Sequence, residues 1–124
     1  MNQLLAIAFG GAFGAVARFL ASTGVYRLAG RDFPYGTLAV NVLGSLLMGL
    51  LYILLIERAA LGAEWRALLL VGFLGAFTTF STFSIETLNL LEAGEPWRAL
   101  TNVLVSVVFC LLAAWLGVLL GRQL

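Results

Sequence analysis

Four runs without a charged side chain, Asn2 to Ala17, Phe33 to Ile56, Ala67 to Ile85 and Ala99 to Gly121, occupy most of this chain. Each is near or above the roughly 20 residues that a helix needs to cross about 30 Å of hydrocarbon. Hydrophobic residues make up 62% of the sequence and charged residues only 10%, and mean hydropathy is +1.05. One small soluble core could not bury that much apolar surface, so the chain reads as an all-α integral membrane protein. The runs predict four transmembrane helices, approximately residues 2–23, 36–56, 67–91 and 97–121, in a single domain spanning 1–124. The first run is short. It reaches membrane length if Arg18 lies near an interface with its side chain snorkelling and the helix continues towards Thr23.

The N-terminus lacks the basic region of a secretory signal, and its apolar pattern continues past any plausible cleavage site, so nothing is expected to be removed. Cys110 is the only cysteine and histidine is absent, which excludes an intrachain disulfide and a His/Cys metal site within one chain.

Most charges fall in the connectors, where Pro34 and Pro96 can open the helices that follow. Four spans place both termini on one side of the membrane. Arg58, Arg66 and Arg122 then share the terminal side, while Arg27, Arg31 and Arg98 take the other, joined by Arg18 if it snorkels. So balanced an arginine count gives no strong instruction for one orientation, and insertion both ways with pairing of inverted copies is expected. Small residues spaced by four, Gly10 and Gly14, Ser45 and Gly49, and Ala113, Gly117 and Gly121, allow close helix approach within one chain or between two.

Two spans carry narrow polar stripes. Thr37, Asn41, Gly44, Ser45 and Met48 share a face of the second, and Asn102, Ser106 and Cys110 share a face of the fourth. An unpaired amide in hydrocarbon costs on the order of 2 to 7 kcal/mol, so Asn41 must bond another helix, water or a passing solute. Neither stripe holds a carboxylate, and Glu86 sits at the edge of the third run, where an interfacial position is the default. Uncharged donors suit a small anion better than a cation, and proton coupling has little to work with.

The third span contains GFLGAFTTFSTFS, residues 72 to 84. Gly72, Gly75 and the consecutive Thr78 and Thr79 weaken helix formation, which predicts a break near residues 75 to 79. Irregular backbone survives at membrane depth when it is buried in protein or lines a wet cavity or ion site. Freed carbonyls there could cage a hard cation, on the axis if two inverted copies pair. Phe80 and Phe83, three apart, share a helix face; such rings are most often packing, yet their positive edges can also face an anion.

GGAFGAVARF in the first span, GTLAVNVLGSLLMG in the second and GFLGAFTTFSTFS in the third resemble, in order and spacing, the motifs of the Fluc-type (CrcB) fluoride channels. The resemblance covers nearly the whole chain, although the fourth span carries no diagnostic motif. It implies an antiparallel, dual-topology homodimer in the lipid bilayer of a prokaryotic plasma membrane, the inner membrane if Gram-negative. Two narrow pores would export fluoride passively and so limit its toxicity. By position, Asn41 resembles the pore asparagine, Phe80 and Phe83 the ring pair of the permeation path, and Ser81, Thr82 and Thr37 its polar track. The Gly75 and Thr78 carbonyls would hold a structural Na+ at the dimer interface, and Arg18 would have a vestibule or structural role. No role is transferred to Asn102, Ser106 or Cys110. The partners implied are fluoride and a second copy of the chain, with no nucleic acid, and no residue points to covalent chemistry or an enzyme.

A small multidrug-resistance-type, proton-coupled transporter is the alternative of similar size. Such pumps depend on a carboxylate in the first helix, where this chain has only an arginine. A structural subunit without transport would leave the polar stripes and the break unexplained.

Overall fold

A computed structural model of the chain describes residues 2–59 and 61–124. Every regular element among them is helical. Four segments are long and apolar enough to cross a membrane: Asn2–Ala29, Tyr35–Glu57, Ala63–Glu92 and Pro96–Gln123. The first continues to Ala29, past Thr23. From Arg18 to Ala29 the helix climbs about 16 Å at roughly 1.5 Å per residue. Arg18 therefore stands well inside the helix and not at its end.

Local chemistry sets the ends. The first helix stops before Gly30, whose φ of +87° suits a residue without a Cβ. Pro34 immediately precedes the second helix, and Pro96 opens the fourth span in its first turn, where no amide hydrogen is needed. The third span is composite. Ala63–Arg66 is α-helical, Ala67–Leu74 is π-helical and Gly75–Phe77 returns to α before the chain breaks. Thr78 (φ −92°, ψ 160°) and Thr79 (φ −152°, ψ 120°) are extended, and the helix Phe80–Glu92 then begins afresh. Two successive β-branched residues favour that backbone. The break falls at the C-terminal edge of the predicted window.

Two backbone seams hold the spans together. The first span packs on the first half of the third, where a Cβ added to Gly10 would stand 2.1 Å from the Leu68 carbonyl oxygen. The second packs on the fourth in the same way: a Cβ at Gly49 would meet the Ala114 oxygen, and one at Gly117 the Leu46 oxygen, each at 2.1 Å. These glycine pairs thus serve contacts within one chain. Val40, Ile53 and Leu74 are each 1% exposed. The helix Phe80–Glu92, by contrast, contains no buried residue, so side-chain hydrogen bonds must carry much of its attachment.

Polar ties join the ends of the spans. Arg58 Nη2 donates to the Arg122 carbonyl (2.8 Å), and Arg122 approaches Glu57 at 3.5 Å, at the end of the second and fourth spans. At the opposite end Arg98 donates to the Asp32 carbonyl (3.1 Å). Exposed pairs of this kind contribute little energy, typically about 0 to 1 kcal/mol.

Candidate functional site

Asn41 is the residue on which the broken span is fixed. Its Nδ2 donates to the Thr79 carbonyl at 2.9 Å, while its Oδ1 accepts from the Thr79 amide at 2.7 Å. One side-chain amide therefore satisfies both peptide groups of the residue that leaves the helix, as buried polar backbone requires. An amide nitrogen has two hydrogens, so one remains for a solute. Thr79 also caps the restarted helix, its Oγ1 accepting from the Thr82 amide at 3.2 Å.

The break leaves the last carbonyls of the first half-helix without their usual donors, those of Gly75 and Thr78 among them. In a continuous helix the Gly75 oxygen would accept from the Thr79 amide and the Thr78 oxygen from the Thr82 amide. Those amides are engaged by Asn41 and by the Thr79 hydroxyl. Gly75 and Thr78, the pair named from the sequence, thus offer neutral backbone oxygens of the kind that hard cations take.

Beside the break a groove of about 420 Å³ is lined by Asn41, Ser45, Phe80, Phe83, Ser106 and Cys110, among others. Most of each stripe, Asn41, Gly44, Ser45 and Met48 of the second span and Ser106 and Cys110 of the fourth, accordingly faces one space together with the ring pair. Phe80 and Phe83 lie 5.4 Å apart between centroids and are tilted by 46°. Phe80 lines the groove and is 77% exposed on the single chain.

Thr37 and Thr82 are not in that groove. They line a second cavity of about 210 Å³ with Arg18, Ser22 and Thr79. Thr79 borders both spaces and divides them. Ser81 lines neither; its hydroxyl lies 3.4 Å from that of Thr79. The six residues grouped from the sequence therefore separate into Asn41, Phe80 and Phe83 on one side of Thr79, Thr37 and Thr82 on the other, and Ser81 outside both.

Sequence reasoning missed a second cluster. Glu86 accepts from Tyr26 Oη at 2.8 Å and from Thr37 Oγ1, and the Tyr26 and Thr37 hydroxyls are 3.4 Å apart. The carboxylate is half-buried and takes its donors from the first and second spans. Arg31 stacks on the Tyr26 ring at 4.6 Å from its centroid. A signal existed only in hindsight: Tyr26 and Thr37 flank a connector and are distant from Glu86 in sequence.

Four membrane-length helices, a break fixed by a side-chain amide and a groove mixing hydroxyl, amide and aromatic groups define a helical membrane protein with polar surface held between its spans. Comparison with known proteins agrees. Residues 5–118 match the family described as CrcB-like protein, Camphor Resistance (CrcB). The chain is 57% identical over 125 residues to the "Fluoride-specific ion channel FluC" of Coxiella burnetii (strain Dugway 5J108-111), covering the whole of both. It is 54% identical over 124 residues to the protein of that name from Geobacter sulfurreducens, again over the full length of each. A similarly named protein of Methylococcus capsulatus is 61% identical over 122 residues, which is 98% of this chain and 54% of that relative, so the chain spans about half its length. The chain belongs to the CrcB-like family, and it is a multi-pass protein of a prokaryotic plasma membrane.

Proposed function

We propose that the chain is the subunit of a fluoride-selective channel that lets the ion leave the cytoplasm passively. The observation that carries this reading is Asn41, fixed by its two bonds to Thr79 at the edge of a groove lined by Phe80 and Phe83. The names of the bacterial relatives support the same reading.

Moving a carboxylate-sized ion from water into a low-dielectric medium costs on the order of 20 kcal/mol, and a smaller ion costs more. Replacement donors must therefore follow one another along the path. In this proposal the free hydrogen of Asn41 and the edges of Phe80 and Phe83 serve on one side of Thr79. Thr82 and Thr37 serve on the other, with Arg18 raising the local anion concentration. The Thr37 hydroxyl reaches the ion only when it turns from Glu86, its present acceptor. Neutral donors bind without trapping, as conduction requires.

The exposure of Phe80 on the groove wall supports closure by an inverted second copy, giving two pores. The carbonyls of Gly75 and Thr78, with those of the second copy, suit Na+, which would supply a fixed positive charge joining the two breaks.

Vesicles containing the purified chain provide the test. Under an imposed voltage they should release fluoride without a proton gradient; impermeability to fluoride, or proton-driven export of a lipophilic cation instead, refutes the reading. Phe80→Ile should lower fluoride flux about tenfold, since aromatic contacts contribute roughly 0.5–1.5 kcal/mol beyond burial. Assembly measured by size-exclusion chromatography should be unchanged, and undiminished flux would make the ring mere packing.

A further inference from the structure

The polar stripe of the fourth span continues into a chain of hydrogen bonds whose middle members, Asn102 and Thr87, serve neither the pathway nor the break. Ser106 Oγ donates to Asn102 Oδ1 at 3.3 Å, and Asn102 Nδ2 donates to Thr87 Oγ1 at 2.9 Å. Thr87 Oγ1 in turn donates to the Phe83 carbonyl at 2.8 Å. Its two ends, Ser106 on the fourth span and Phe83 on the helix Phe80–Glu92, both line the groove, whereas Asn102 and Thr87 do not. Asn102 is only 1% exposed. Among the described residues no buried side-chain polar atom lacks a partner, so the chain is fully connected.

We propose that Asn102 and Thr87 are positioning residues that set the separation of Phe83 from Ser106, and through it the size of anion the groove admits. This inference rests on the fluoride-channel reading. Three observations point to it.

First, the helix Phe80–Glu92 has no buried residue to hold it by packing. It is tied instead at three places: Thr79 on Asn41, Glu86 on Tyr26 and Thr37, and Thr87 on Asn102. Only the last tie runs to the fourth span, and the groove lies between these two elements. Second, a buried amide is costly unless both its ends are paired, and one that is paired fixes geometry more sharply than apolar contact, which is non-directional. Third, Thr87 acts on the backbone of Phe83, so it places the ring and leaves its edge free for the ion.

The Asn102–Thr87 bond thus acts as a spacer between the groove walls. Without it the walls are joined by apolar contacts alone and can part. A larger halide with a thinner hydration shell, such as chloride, then loses its steric exclusion, while fluoride loses close donors.

The experiment measures the chloride-to-fluoride permeability ratio of the full chain in vesicles under an imposed voltage. Thr87→Val keeps the shape and removes the hydroxyl. It should raise the ratio at least fivefold, about the factor expected for one ordinary hydrogen bond, since it removes the bond from Asn102 as well as the one to the Phe83 carbonyl. Thr87→Ser retains the hydroxyl and should keep the ratio of the unaltered protein. Asn102→Leu removes the same bond together with the one from Ser106; it should raise the ratio at least as far as Thr87→Val, and the double variant should fall short of the product of the two effects because the Asn102–Thr87 bond is shared. If Asn102→Leu does not fold, the Val and Ser pair at residue 87 decides alone. A purely structural role would reduce the amount of assembled protein and leave the ratio alone, so an unchanged ratio in Thr87→Val with fluoride flux intact overturns the proposal. Should the unaltered protein itself pass no fluoride, the channel reading fails first, an outcome distinct from selective flux that is insensitive to residue 87.

Discussion

Asn41→Asp should lower fluoride flux by more than two orders of magnitude. The substitution nearly preserves shape but removes every amide hydrogen at the position. Where Nδ2 now donates to the Thr79 carbonyl at 2.9 Å, two oxygens would face each other, while the bond from the Thr79 amide survives. A carboxylate would also stand beside the anion's route. Two like charges about 4 Å apart repel by about 4 kcal/mol at an effective dielectric constant near 20, which is nearly a thousandfold in rate at roughly 1.36 kcal/mol per decade. Flux from vesicles with matched protein content is the measurement. Passage within about twofold of the unaltered protein, against the full factor that one charge pair predicts, would remove Asn41 from the pathway.

Gly117→Ala should have the largest effect on stability. The new Cβ would stand 2.1 Å from the Leu46 carbonyl oxygen and 2.8 Å from the Leu50 amide nitrogen, neither of which is a flexible side-chain end that can turn away. Overpacking typically costs about 1–3 kcal/mol, and backbone on both sides puts this site at or above the upper end. Gly49→Ala meets the Ala114 oxygen at the same distance from the other helix. Gly24→Ala is the control: nothing lies within 4 Å of its added Cβ, and alanine favours a helix by about 1 kcal/mol over glycine. Thermal denaturation in detergent should show a clear loss for Gly117→Ala and none for Gly24→Ala. Equal melting of all three would mean that the seam between the second and fourth spans relaxes freely.

The two seams also show how far the sequence could be read. Spacing of four identified Gly10, Gly14, Gly49, Gly117 and Gly121 as small surfaces, but it could not tell which helix each one meets. Ser45, paired with Gly49 by the same rule, faces the groove instead. The break was legible because Gly72, Gly75, Thr78 and Thr79 each disfavour helix locally. That the second span holds it was not, since the partnership of Asn41 and Thr79 is created by packing. The π-helical turns of Ala67–Leu74 and Ile53–Glu57 have no counterpart in the hydrophobic pattern.

Polar residues followed the same division. Periodicity placed Asn41, Ser45, Ser106 and Cys110 on common faces, and they do share a groove. It also grouped Thr37 with Asn41 one turn away, yet Thr79 lies between the spaces they line. Glu86 was the hardest residue to place. A single carboxylate near the end of a run looks interfacial by depth, and only the arrangement of three helices gives it Tyr26 and Thr37 as donors.

The pairing of Asn41 with Thr79 has a consequence for biosynthesis. Residue 41 leaves the ribosome before residue 79, so the amide that receives the irregular peptide is already in the bilayer when that peptide arrives. The exposed Thr79 amide and carbonyl can then dock on entry without a prolonged stay against lipid tails, where each lone group is costly. With the order of these two segments exchanged, the growing chain would have to carry the interruption into the bilayer before its receptor had been made.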